Sequence, residues 1–66
     1  MSEENTITLG PKQHDKIGVY HVGVTREGFI SVAGEPKNID DGQEISFERS
    51  GITARRSGSE YTFTRN

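Results

Sequence analysis

Three arginines and two aromatic residues in the last third of the chain, Arg49, Arg56, Arg65, Tyr61 and Phe63, carry the most suggestive chemistry in this sequence. A guanidinium beside an aromatic ring stacks on nucleobases, pairs with phosphates, or accepts the carboxylates of a protein partner. The same arginines also suit a plainer task, because long side chains at strand ends lie over the rim of a core and reach solvent, which protects sheet edges from aggregation. These five residues are the candidate partner-binding site, with an exposed strand edge capable of sheet addition as the other candidate surface.

Other clusters are weaker. His14-Asp15 and His21 are the only imidazole-bearing segments, and with no cysteine in the chain nothing completes a metal-ligand spacing. Asp40, Asp41 and Glu44 lack the alternating acidic pattern of a calcium loop and read as turn formers. There is no Gly-x-Ser-x-Gly elbow, phosphate-binding glycine loop or His-Glu-x-x-His pair. The expectation is therefore a non-enzyme with no catalytic residues, no metal and no cofactor.

The elements that position the five residues follow from alternation and turn chemistry. Between Glu44 and Arg65, three alternating segments are separated by Ser50-Gly51 and Gly58-Ser59, both short turn signals. A two-residue loop at Gly58-Ser59 sets Ser57 opposite Glu60, Arg56 opposite Tyr61, Ala54 opposite Phe63 and Ile52 opposite Arg65. A two-residue loop at Ser50-Gly51 sets Arg49 opposite Ile52, Phe47 opposite Ala54 and Ile45 opposite Arg56. Because side chains alternate with period two, both registers put Ile45, Phe47, Ile52, Ala54, Tyr61 and Phe63 on one face, edged by the three arginines. The opposite face, with Thr53, Arg55, Thr62 and Thr64, reads as solvated.

Upstream, residues 1–5 read as a flexible tail and Thr6-Ile7-Thr8-Leu9 as a short strand closed by Gly10-Pro11. A long β-like segment, Lys16 to Thr25, turns through Arg26-Glu27-Gly28 into a strand from Phe29, so that Val24 faces Ile30 and Val22 faces Val32. Gly18 and Gly23 suggest a bend within the long segment. Its second face, with Ile17, Val19 and Phe29, is partly apolar and calls for a cover. Glu35 to Gly42 reads as the connection between the halves, with Ile39 to Gly42 as a type I turn.

No helical periodicity interrupts these segments. The fold class is all-β: a single domain over residues 6–66, built as a six-stranded antiparallel meander that closes as a barrel or sandwich, with an SH3-like barrel the nearest common architecture and the first strand pairing with the last.

The totals bound the partners. The chain has 66 residues, eight Lys plus Arg against ten Asp plus Glu, and a net charge of −2. Four basic and eight acidic side chains lie in residues 1–44, and four arginines and two glutamates in 45–66, giving halves of −4 and +2. A pI near 5.6 sets nucleic acid behind protein as the expected partner. No apolar run is long enough to span a membrane and the polar, acidic start does not resemble a secretion signal, so the expected location is the cytoplasm. A chain this short buries only about 60% of its unfolded surface and has no disulfide to help, which favours a homo-oligomer, most simply a dimer. The expected function is a non-enzymatic protein-interaction module, an adaptor, inhibitor or small structural component; the alternative is an oligonucleotide-binding regulator using the arginine-aromatic edge.

Overall fold

The structure, a computed structural model, describes residues 5–65, and among these every regular element is a β-strand. They are β1 (Thr6–Leu9), β2 (His14–Ile17), β3 (Tyr20–Val24), β4 (Phe29–Val32), β5 (Glu35–Asn38), β6 (Glu44–Phe47), β7 (Ile52–Ser57) and β8 (Glu60–Arg65). They form two antiparallel four-stranded sheets, the first in the order β1-β8-β7-β6 and the second β2-β3-β4-β5. Among the described residues no ladder joins the two sheets, so the strands do not close into a barrel. The inner faces of both sheets contribute to one core of Leu9, Ile17, Val22, Val24, Ile30, Val32, Phe47, Ile52, Ala54, Tyr61 and Phe63, joined by Ile39 from the connection. The first and last strands pair, with Thr6 opposite Thr64 and Leu9 opposite Tyr61.

Eight strands replace the expected six for two local reasons, both at turns. The long segment from Lys16 does not bend but reverses: Ile17 pairs with Tyr20 across Gly18-Val19, and Gly18 takes φ +63°. That reversal carries Ile17 into the core, only 1% exposed, and leaves Val19 at the turn, 78% exposed. The second reversal is at Ala33-Gly34, where Val32 pairs with Glu35 and both turn residues have positive φ, 52° and 84°. An alanine in the left-handed region costs roughly 1–2 kcal/mol, so this pair is a poor turn signal, and Pro36 made the following strand look like a loop. Proline is tolerated there because β5 is an edge strand. The Arg26-Glu27-Gly28 loop is as expected, with Gly28 at φ +92°, Val24 opposite Ile30 and Val22 opposite Val32.

The C-terminal sheet keeps its faces but not both registers. β7 and β8 pair as the Gly58-Ser59 loop demands, from Ser57 opposite Glu60 to Ile52 opposite Arg65. β6 and β7 are displaced by two residues: Phe47 lies opposite Ile52 and Ile45 opposite Ala54. The loop is Glu48 to Gly51, closed by the Gly51 N–H donating to the Phe47 carbonyl at 2.9 Å, with Gly51 at φ +71°. A two-residue Ser-Gly loop of type I′ or II′ places its first residue at positive φ, which suits Gly58 but not Ser50. The longer loop confines the left-handed conformation to glycine. Since the slip is two residues, no side chain changes face.

The connection also tightens differently from the type I turn expected over Ile39 to Gly42. The Gln43 N–H donates to the Asp40 carbonyl at 2.9 Å, the Gln43 side-chain Oε1 accepts from the Asp40 N–H at 2.8 Å, and Gly42 takes φ +81° at the third position. The expected tail of residues 1–5 falls mostly outside the described residues. Asn5 is held, its carbonyl accepting the Arg65 N–H at 2.8 Å.

Candidate functional site

The five residues singled out by type do not assemble into one surface. Tyr61 and Phe63 point inward from β8 and are 2% and 0% exposed, so their rings offer no platform for a base or a partner side chain. Arg56 and Arg65 lie on the same inward-facing positions but at opposite ends of the sheet. Arg56 is opposite Tyr61 and Arg65 opposite Ile52, four residues apart along β8, or about 13 Å at the usual rise. Arg49 is not on a strand at all but in the β6–β7 loop, exposed beside Glu48.

Each arginine has its own local role. The Arg56 guanidinium lies over the Tyr61 ring with Cζ 5.3 Å from its centre. Its Nε donates to the Gly58 carbonyl at 2.8 Å and its Nη1 to the Ile39 carbonyl at 3.0 Å. The same corner is tied by the Gly58 N–H donating to Asp41 Oδ1 at 2.8 Å and by backbone bonds of Arg56 with Gly42 and Gln43. Arg56 therefore rivets the connection between the sheets to the β7–β8 turn and roofs a buried ring. At the other end Arg65 lies over Tyr20, Cζ 5.7 Å from the ring centre, linking the first sheet to the β2–β3 turn. A Cβ at Gly18 would lie 2.7 Å from Arg65 Nη1, a contact the flexible arginine can relieve by shifting, so it is the φ of +63° that calls for glycine there.

The outward face of the first sheet is a grid of hydroxyls. One row across the strands reads Thr6, Thr64, Thr53, Ser46, and the next reads Thr8, Thr62, Arg55, Glu44. Five of the six threonines in the chain lie in these two rows. Thr6 Oγ1 donates to Thr64 Oγ1 at 3.4 Å, the Thr8 and Thr62 hydroxyls are 3.3 Å apart, and Arg55 pairs with Glu44 at 3.5 Å. Glu44, Thr53, Arg55, Thr62 and Thr64 line a shallow trough of about 250 Å³. That is below the roughly 300–1,000 Å³ of typical small-molecule pockets. Threonine belongs on such a face through its β-branched shape and cross-strand pairing, and the charged pair cancels.

Remaining polar groups are dispersed. His14 is opposite Gly23 and His21 opposite Lys16, both exposed on the outer side of the second sheet. Among the described residues no three His, Cys, Asp or Glu side chains gather as a metal site. Asp41 and Glu44 are engaged by Gly58 and Arg55, in keeping with turn and surface roles. Among the described residues no helix is long and apolar enough to cross a membrane.

Sequence reasoning allowed for binding at an exposed strand edge but did not say which strands are edges, because edge status depends on which strands do not pair. Three of them are blunted. β2 carries exposed Asp15 and Lys16, β5 carries Glu35, Pro36 and Lys37, and β6 carries Glu44 with Glu48 just beyond. Charges and proline are the usual guards against a further strand. β1 has neither: Thr6-Ile7-Thr8-Leu9 is uncharged, rich in β-formers, and paired on one side only, with β8, among the described residues. The bond from Arg65 N–H to Asn5 carbonyl makes that opposed pair a hydrogen-bonded one. Antiparallel pairs alternate, so Ile7 and Leu9 turn their backbone groups to β8 while Thr6 and Thr8 turn theirs outward. Comparison with known protein families, curated proteins and solved structures finds no match to this chain.

Proposed function

We infer that the protein is a non-enzymatic protein-interaction module, an adaptor, inhibitor or small structural component, that binds by adding a partner strand at the open edge of β1. One observation carries this reading: β1 is the edge strand without a charge or a proline, and its outward N–H and C=O groups belong to exposed Thr6 and Thr8. Backbone pairing supplies the affinity in such a mode, and the neighbouring side chains supply selectivity. The oligonucleotide alternative is less favoured, because the Tyr61 and Phe63 rings that would stack on bases are in the core.

The test is affinity capture from lysate with the wild-type chain and a Thr8→Pro variant, each with and without nuclease. Thr8→Pro removes an outward N–H without touching the β1–β8 ladder. Nuclease-resistant capture that Thr8→Pro abolishes is the expected result. Capture that nuclease abolishes transfers the function to nucleic acid, and capture unaffected by Thr8→Pro overturns the edge as the site.

A further inference from the structure

We propose that the occupant of the β1 edge is the β1 edge of a second copy of this chain, the two strands running antiparallel about a twofold axis at Ile7 and joining two first sheets into one continuous eight-stranded sheet. This rests on the reading of β1 as the docking edge and names its partner.

The pairing follows from which groups face outward. Thr6 and Thr8 each turn one N–H and one C=O away from β8, and no described residue takes them up. An antiparallel neighbour satisfies all of them when Thr6 faces Thr8 of the partner subunit and Thr8 faces the partner's Thr6. Each of these pairs exchanges two hydrogen bonds, four in all, and Ile7 then meets the partner's Ile7 at a non-hydrogen-bonded position, where side chains approach closest. Shifting the register by two residues in one direction pairs Thr6 with Gly10, next to Pro11, and in the other carries Thr8 off the end of the strand. The strand is thus complementary to itself in one register, as a twofold interface requires.

Side chains agree with the backbone. Facing residues in this register share a face, so the threonine grid continues across the axis as Thr6 beside the partner's Thr8. Ile7 is half-buried and packs against the core from the inner face; the partner's Ile7 covers its remaining surface. No charged residue lies within β1, whereas β6 itself carries Glu44 and self-pairing there would bring in that carboxylate from both copies. A four-residue ladder is far smaller than the roughly 1,200–2,000 Å² of a tight interface, so association follows protein concentration.

Sedimentation from micromolar to millimolar protein is the experiment, with the wild type, Thr8→Pro and a Thr6→Lys, Thr8→Lys double variant. The wild type is expected to rise from 7.3 kDa to twice that mass. Thr8→Pro should raise the dissociation constant at least about tenfold, since each copy loses one interchain hydrogen bond. The lysine variant decides the matter if the proline variant loses its strand circular-dichroism signal. As a register check, Ile7→Cys in this cysteine-free chain should form an intersubunit disulfide on mild oxidation, because directly opposed positions are within bridging range. A wild type that stays monomeric, a dimer that persists in the lysine variant, or an Ile7→Cys chain that does not cross-link overturns the proposal. A monomeric wild type removes the second copy only; strand addition to another protein stands or falls on the capture experiment.

Discussion

The two faces of the first sheet are built from the same strands and separated by one residue of register, yet they obey different rules. Inward, Phe47, Ile52, Ala54, Tyr61 and Phe63 are each no more than 2% exposed. Outward, Thr53, Thr62, Thr64 and Ser46 stand in rows with bonds of 3.3–3.4 Å between threonines where they exist, and an exposed ion pair at 3.5 Å. Burial makes every atom of the inner face count, because removed volume leaves a cavity, whereas water replaces whatever the outer face loses. The difference bears on where function can reside: the aromatics that looked like a binding platform are buried in the core, and the uncharged edge strand beside the hydroxyl face is the site proposed for another chain.

Substitutions graded across the sheet sharpen this contrast. Phe63→Ala should cost about 3–5 kcal/mol in chemical denaturation, the largest effect, since the ring is wholly buried at the centre of β8. Next comes the rim. Arg56→Ala should cost about 2 kcal/mol, because two carbonyls lose a charged donor and Tyr61 loses its roof, while Arg49→Ala stays within about 0.5 kcal/mol. Equal losses for the two arginines would erase the distinction between a rivet and a loop side chain. The smallest effect belongs to the outer face: Thr62→Val should shift stability by no more than about 0.5 kcal/mol. A thermal-melt loss equivalent to more than about 1 kcal/mol there would show that the threonine ladder holds the sheet, and the two faces would not differ in kind.

Much of this was legible in the chain and the exceptions are instructive. Gly58-Ser59 carried its register correctly because glycine occupies the position that must take positive φ. Ser50-Gly51 has the same two residue types in reverse order, and the loop grew to four residues so that only Gly51 is left-handed. β2 and β5 were hidden for a related reason. Their turns use Gly18-Val19 and Ala33-Gly34, and the second forces an alanine to φ 52°, which local propensity argues against and burial of Val32 and Ile30 outweighs. Arg56 and Arg65 were placed on the right face, but their separation along β8 and their partners on other elements, Ile39 and Tyr20, required the packed molecule.

By itself the sequence determined the alternation of apolar and polar positions, and with it the all-β class and the membership of each face of the C-terminal sheet. Those are properties of period two and survive even a two-residue slip. The first strand was expected beside the last and is found there; the tertiary structure decided that the strands divide into two sheets with no ladder between them among the described residues, hence that β1 is an edge while β7 and β8 are enclosed, and that each arginine of the expected cluster serves a different corner. Sheet edges depend on which distant strands do and do not pair, which no local pattern encodes. The hydrogen-bonding capacity of Thr6 and Thr8 is written in every peptide unit; that no described residue takes it up at this edge is a consequence of the fold.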